Sequence, residues 1–165
     1  MTERRTEYKW FWAWDFEIEE KWLNEMAMQG WALVEVGYAK FTFERTEPGE
    51  YTIRLEMHDK DLSYEELLED DNIEVLGQVL KWKYMRKKSE YGSFDVFSDI
   101  DSRINHMNKI CTLIKIIIFL NLLSGLTNAH TMGWINLLLV ALLAYGLGKL
   151  EGKKELLTRE RELHE

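Results

Sequence analysis

Two apolar runs, residues 110–126 and 132–148, are separated only by Thr127-Asn128-Ala129-His130-Thr131. A helix rises about 1.5 Å per residue, so each run covers roughly 25 Å, close to a hydrocarbon core of about 30 Å once flanking residues are added. The pair is read as a transmembrane helical hairpin, and the rest of the chain is placed relative to it.

The 109 residues in front of the hairpin suit one small soluble domain. Through Lys109 the chain carries 15 Lys and Arg against 24 Asp and Glu, whereas the remainder carries 6 against 5. The acidity belongs to the soluble part and argues against nucleic acid as a partner. Cys111, the single cysteine, stands at the mouth of the first run and has no intramolecular disulfide partner, which fits a reducing compartment. Residues 1–7 are polar and lead into aromatics rather than a leucine-rich core, so no signal peptide is expected. Arg103 and Lys109 precede the first run, Lys149, Lys153 and Lys154 follow the second, and the connecting loop has no Lys or Arg. That asymmetry places both termini in the cytoplasm, with the hairpin in the cytoplasmic membrane.

Along the domain, Tyr8, Trp10, Trp12 and Trp14 alternate with Lys9, Phe11 and Ala13, which predicts a strand with four aromatics on one face. Asp15 is placed to cap a helix over residues 16–29, with Ile18, Trp22 and Met26 as its apolar stripe, Leu23 beside them, and Gly30 as its stop. Residues 31–45 predict one long or bulged strand with Gly37 at the irregularity. Glu47-Pro48-Gly49-Glu50 predicts a turn, and Tyr51, Ile53, Leu55 and Met57 the returning strand. Ser63 and Glu66 form a capping box for a short helix to about Asp71, and an extended run over 73–86 puts Leu80, Trp82 and Tyr84 on one face. The expected order is β-α-β-β-α-β, an α+β domain of ferredoxin-like topology, with no internal repeat evident. Ser98 and Asp101 form a second capping box, from which Ile100, Ile104, Met107 and Cys111 recur at helical spacing, so a juxtamembrane helix is expected to run into the first span. The boundaries are 1–97 for the domain, 98–150 for the juxtamembrane helix and hairpin, and 151–165 for a charged helical tail.

Few constellations carry chemistry. Asp99 and Asp101 have two readings: a paired-carboxylate cation site beside the membrane, or acids favoured in a first helical turn; Arg103 is near enough to pair with either. His58, His106, His130 and His164 share no metal-ligand spacing, and His106 reads as a solvated helix residue one turn before the membrane. Trp10, Trp12, Trp14, Trp31 and Trp82 read as core packing, as rings settled in a membrane interface, or as an open aromatic surface for a ligand or partner. Lys115, Asn121 and Asn136 fall inside the spans. Lys115 is close enough to the interface to snorkel, and the asparagines have the chemistry to bond across the hairpin or between copies. Ala141, Ala144, Gly148 and Gly152 put small residues along one side of the second span, a spacing that allows close helix packing. Arg86-Lys87-Lys88 is a basic cluster suited either to anionic lipid or to a solvated strand end.

The run from Lys9-Trp10-Phe11-Trp12-Ala13-Trp14 through Glu20-Lys21-Trp22-Leu23-Asn24-Glu25-Met26-Ala27 to Gly30-Trp31 resembles a bacterial family known as domain of unknown function 2812 (DUF2812). Phe43-Glu44, Pro48-Gly49-Glu50-Tyr51-Thr52, Arg54-Leu55-Glu56 and Phe97-Ser98-Asp99-Ile100-Asp101-Ser102-Arg103 extend the likeness over residues 8–108. The resemblance implies a membrane-anchored protein, often encoded beside PadR-type transcriptional repressors, and supplies no catalytic residue. No cofactor or metal is expected. The chain reads as a two-pass protein whose cytoplasmic domain binds a protein or small ligand as a sensor or regulatory accessory, the alternative being a structural protein that self-associates through its hairpin. A lipid-directed enzyme using Asp99, Asp101 and His106 is disfavoured, because no nucleophile stands beside a recognisable base.

Overall fold

The computed structural model describes residues 3–57, 71–95, 100–128 and 133–164. They fall into two compact units, residues 1–96 and 97–165.

Among the described residues, the first unit holds six strands and one α-helix: β1 (Arg4–Tyr8), α1 (Phe16–Met28), β2 (Trp31–Gly37), β3 (Lys40–Arg45), β4 (Tyr51–Met57), β5 (Ile73–Val79) and β6 (Trp82–Lys88). They form two antiparallel three-stranded sheets, in the orders β1-β3-β2 and β4-β6-β5. The α+β class holds, but these orders do not follow the single ferredoxin-like sheet expected. The helix expected over 63–71 lies outside the described residues.

What the sequence hides is a duplication of the sheet unit. In each half a lone strand is followed by a hairpin whose second strand is central. The first hairpin strand carries its register shift at the same place, between Leu33 and Glu35 in β2 and between Val75 and Gly77 in β5. Each hairpin strand is entered through a left-handed residue, Gly30 at φ 81° and Asn72 at φ 57°. At Gly30 the requirement is also steric, since a Cβ would sit 2.8 Å from the Thr46 carbonyl oxygen. β2 and β5 lie against each other, and Arg86 donates from Nη1 to the Leu33 carbonyl at 2.8 Å while its Nε reaches Glu74 at 2.7 Å. One member of the basic cluster thus fastens the two sheets together. Lys88 pairs with Glu50 and Glu90, each at 3.6 Å.

Three strand expectations are corrected. The aromatic run is not a strand: β1 ends at Tyr8 and Ala13–Asp15 is a 3-10 turn, so the alternation of Trp10, Trp12 and Trp14 does not set one sheet face. Residues 31–45 fold back at Tyr38-Ala39, with Ala39 at φ 50°, instead of continuing past Gly37. Residues 73–86 likewise fold back at Leu80-Lys81, with Leu80 at φ 56° and its side chain in solvent.

Helix α1 buries Phe16, Glu19, Leu23, Met26 and Ala27, which recur at helical spacing. Ile18, expected in the stripe, is 54% exposed, because the buried face is rotated toward Glu19 and Leu23. Asp15 occupies the N-cap position without a side-chain capping bond. The main core joins Leu23, Met26 and Ala27 to Leu33, Phe41, Phe43, Ile53, Leu55 and Tyr84, with Trp22, Trp31 and Trp82 packed at its margin. The expected 47–50 turn forms, Glu50 N–H bonding the Glu47 carbonyl at 3.1 Å and Gly49 taking φ 75° behind Pro48.

The second unit is an antiparallel pair, α2 (Ile100–Thr127) and α3 (Gly133–His164). Each contains a window long and apolar enough to cross a membrane, and only 22% of each window is buried. The buried positions Met107, Ile110, Cys111 and Ile114 on α2, and Leu143, Gly146 and Leu150 on α3, follow steps of three and four and form a single seam. Ile116, Phe119, Leu120 and Leu123 on α2, and Trp134, Leu138, Leu142 and Tyr145 on α3, face outward. A soluble helix pair would cover those side chains, whereas a lipid-facing pair leaves them out.

Candidate functional site

The five tryptophans of the expected aromatic surface do not form one surface. Trp14 is 3% exposed, Trp82 stacks on Phe16 at 5.3 Å, and Trp31 packs at the core margin with the Arg45 guanidinium 5.0 Å from its ring. Trp10 is 63% exposed and Trp12 is 38% exposed. They meet edge to face at 5.6 Å, and Trp12 stacks in turn on Trp14 at 5.0 Å, so the buried ring holds the exposed ones in place.

The most constructed polar arrangement lies where α1 meets the open edge of β4. Asn24 Nδ2 donates to the Ile53 carbonyl at 2.9 Å, and Ile53 N–H donates to Asn24 Oδ1 at 2.9 Å. Leu55 N–H donates to Glu20 Oε2 at 3.0 Å, and Arg54 reaches Glu20 Oε1 at 3.3 Å. One helix face thereby satisfies the groups an edge strand would offer to another chain. Burial is the largest influence on Glu20 and raises its pKa, against the Leu55 bond and Arg54, which lower it. A shallow open groove bordered by Glu17, Lys21, Glu25 and Met28 runs beside the clamp. The clamp is a structural device: every polar group in it already has a protein partner, and no nucleophile is present.

Deeper in the core, Tyr84 donates its hydroxyl hydrogen to Glu19 Oε1 at 2.5 Å. Burial pushes the Glu19 carboxyl up, opposed by this bond, and burial together with Glu19 pushes the Tyr84 phenol up. Because Glu19 holds its proton more tightly folded than unfolded, folding stability falls as pH rises from the ordinary carboxylate range through the folded value. Glu19→Gln keeps the acceptor for Tyr84 and removes the buried charge. The variant is expected to melt a few degrees higher at neutral pH, with the gain shrinking as the pH is lowered into the carboxylate range. Thermal melts at several pH values check this; a lower neutral melting point would show that the charged form is favoured in place.

In the helical pair, Lys115 Nζ meets Glu151 Oε1 at 2.8 Å, Arg161 Nη1 meets Asp101 Oδ1 at 2.9 Å, and Asn136 Nδ2 donates to Ser124 Oγ at 3.1 Å. Asn121 turns back to the Ile117 carbonyl of its own helix at 2.8 Å. The Asp101–Arg161 pair lies toward the end of the helices away from the connecting loop, whereas Lys115–Glu151 stands near their middle. Arg161, rather than Arg103, is the partner seen at Asp101, while Asp99 lies outside the described residues. His106, expected in solvent, is 4% exposed because it shares the seam with Met107 and Ile110. The stripe of Ala141, Ala144, Gly148 and Gly152 faces away from the seam, with open space around the two glycines. Among the described residues no three His, Cys, Asp or Glu side chains converge as a metal site.

Sequence reasoning missed the clamp, the Glu19–Tyr84 bond and both ion pairs. Only Glu19 left a trace, since it falls in step with Phe16, Leu23 and Met26 on an otherwise apolar face.

Fold and polar groups together define a class: an acidic α+β domain followed by a helical hairpin that is apolar on its outer surface. The chain belongs to the DUF2812 family of proteins of unknown function, which it matches over residues 15–120. That match begins at the last residue of the 3-10 turn and ends inside the first apolar run, so it covers the domain from α1 onward and its entry into α2. No curated protein and no solved structure matches the chain.

Proposed function

We propose that this chain is a two-pass membrane protein whose amino-terminal domain lies on the cytoplasmic side and serves, without catalysis, as a binding module of a sensor or regulatory accessory. The observation that carries the membrane part is the exposed apolar exterior of α2 and α3. The binding part is supported by what the polar arrangements do: the α1–β4 clamp and the Glu19–Tyr84 bond hold the fold, and among the described residues no cleft gathers titratable groups around a nucleophile. The lysine asymmetry around the apolar runs supports the orientation. Photo-crosslinking from Met28 and Tyr91, exposed positions on the domain, tests the binding role in cells. A discrete adduct with another protein is expected, and absence of any adduct contradicts the role.

A structural role through self-association is the second reading, favoured by the outward Ala144, Gly148 and Gly152 stripe. It forecasts adducts of twice the chain's own mass in place of heterologous ones.

A further inference from the structure

The outer strands of the two sheets are β1, β2, β4 and β5. Among the described residues, β2 and β5 lie against each other, and Asn24 and Glu20 of α1 satisfy β4. The edge left open is that of β1. Arg45 N–H bonds the Glu3 carbonyl at 2.9 Å and Lys9 N–H bonds the Ala39 carbonyl at 3.0 Å, so Glu3 and Lys9 stand in hydrogen-bonded pairs at the two ends of the β1–β3 ladder. Such pairs alternate along antiparallel strands, and the N–H and C=O groups of Arg4, Thr6 and Tyr8 are therefore turned away from β3. No described strand meets them, and all three side chains are exposed. An open row of this kind is a template for a further strand.

A short charged edge normally discourages pairing, but here Glu3, Arg5, Glu7 and Lys9 alternate in sign along one face of the strand. Arg5 and Glu7 stand opposite Phe43 and Phe41 of β3 and form an ion pair, with the Arg5 guanidinium 5.8 Å from the Trp31 ring. This series is complementary to itself when reversed. A second β1 running antiparallel about a two-fold axis at Thr6 sets Arg5 opposite the partner's Glu7 and Glu3 opposite the partner's Lys9, and each pairing occurs again across the axis. Every outward N–H and C=O of Arg4, Thr6 and Tyr8 then meets a complementary group, and Arg4 faces the ring of the partner's Tyr8. Moving the axis to residue 5 opposes Arg5 to Arg5, and moving it to residue 7 opposes Glu7 to Glu7, so like charges disfavour the neighbouring registers. We propose that β1 is a dimerisation edge, at which two copies of this chain pair antiparallel about Thr6 and join their β1-β3-β2 sheets into one. The contact uses the same patch on both copies and consumes the open edge, so it closes at a dimer. It lies within the first unit and depends neither on the two-pass reading nor on association through the hairpin.

The test uses the full chain in mild detergent, in a Cys111→Ser background. Thr6→Cys sits on the axis, where the Cα separation of about 5.5 Å in a hydrogen-bonded pair is within disulfide reach, so mild oxidation is expected to link two copies. Glu47→Cys, exposed beyond the end of β3, is expected to stay unlinked. Arg5→Glu and Glu7→Arg, each added alone to Thr6→Cys, should lower the linked yield about tenfold, because each sets like charges against one another on both sides of the axis. Mixing these two variants restores complementary charges between copies but not within either, and linked heterodimer is expected at the parental yield. That rescue separates pairing between chains from any effect of the Arg5–Glu7 ion pair within one. Arg4→Cys mixed with Tyr8→Cys reads the register with both charges in place, and the heterodimer linked through 4 and 8 should exceed either homodimer. Absence of linkage at 6, equal linkage at 6 and 47, or an excess of homodimer at 4 or 8 overturns the pairing. So does a yield that ignores both charge reversals, or a mixture that fails to restore it, in chains that melt with the parent. Dimers by mass without linkage at 6 also overturn it and assign self-association to another surface. If a charge reversal unfolds the chain, linkage at 6 and the register read at 4 and 8 decide.

Discussion

Replacing Trp22 by Ala is expected to cost about 3 to 5 kcal/mol of stability in the amino-terminal domain, the range seen when a large aromatic leaves a packed site. The ring is only partly buried, yet it is the hub of the aromatic packing. Its centroid lies 5.6, 5.2 and 5.7 Å from those of Phe11, Phe41 and Phe43, with Lys9 Nζ over its face. Edge-to-face pairs add to the area term, and without the ring Phe11, Phe41 and Phe43 lose the contact they share. A loss of that size is comparable to the whole stability of a small domain, so the variant should be largely unfolded at room temperature. Denaturant melts of the full chain check this. A loss below about 1 kcal/mol would show that the ring contributes a surface rather than a core, and the packing described for α1 would have to be abandoned.

The second large effect is expected from Asn24→Asp, a change of almost no volume. The amide is the one side chain that both donates to the Ile53 carbonyl and accepts from the Ile53 N–H, and a carboxylate can only accept. The substitution turns one hydrogen bond into a repulsion and leaves the part-buried Ile53 carbonyl with only its bond from Arg54 Nη1 at 3.1 Å, at a cost of about 1 to 3 kcal/mol. Because a protonated carboxyl regains a donor, the deficit should narrow as the pH falls below the carboxylate range. Melts at neutral and acid pH read this directly. An Asn24→Asp chain as stable as the parent at neutral pH would mean that the clamp is ornamental and that the β4 edge is satisfied some other way.

The contrast between these two residues indicates how much the sequence disclosed. Trp22 stood out, because a helix with regular apolar spacing and a terminal Gly30 is written in local pattern. The same holds for the Pro48-Gly49 turn and for the alternation of Ile53, Leu55 and Met57. Asn24 gave no signal, since its partners are backbone groups of a strand distant in sequence, and nothing in a polar helical position announces which edge it will meet. The hairpin turns were illegible for a different reason. Ala39 and Leu80 accept left-handed conformations without the Asn or Gly that usually marks them, so two hairpins read as two long strands. The sheet duplication was equally hidden, because matching positions differ in chemistry: Phe41 and Lys83 are both buried one residue into their strands, and Phe43 corresponds to Met85.

The residues that carry the family resemblance take on meaning in the same way. Leu23 and Met26 fill the core, Trp22 holds the aromatic packing, Asn24 clamps β4, Gly30 ends α1 in a conformation that excludes a Cβ, and Pro48-Gly49 turns the chain. In this chain the stretches that carry the resemblance hold the fold together.

In the helical unit, the sequence disclosed the apolar runs and not their seam. Lys115 resembled a snorkelling residue when α2 was considered alone, and its pairing with Glu151 requires the register of the second helix. Asn121 and Asn136 were natural partners for each other by type, but Asn136 meets Ser124 and Asn121 meets its own backbone, as the antiparallel register dictates.

The central claim is that α2 and α3 cross a bilayer together, with the connecting segment on the far side from the domain. Thiol mapping in intact cells tests it most directly. In a Cys111→Ser background, a cysteine at Asn128 is expected to react with an impermeant thiol reagent added outside, and a cysteine at Ser93 to react only after the membrane is permeabilised. Labelling at 93 with protection at 128 would reverse the orientation, and labelling of both or neither before permeabilisation would contradict a membrane-spanning hairpin with this topology.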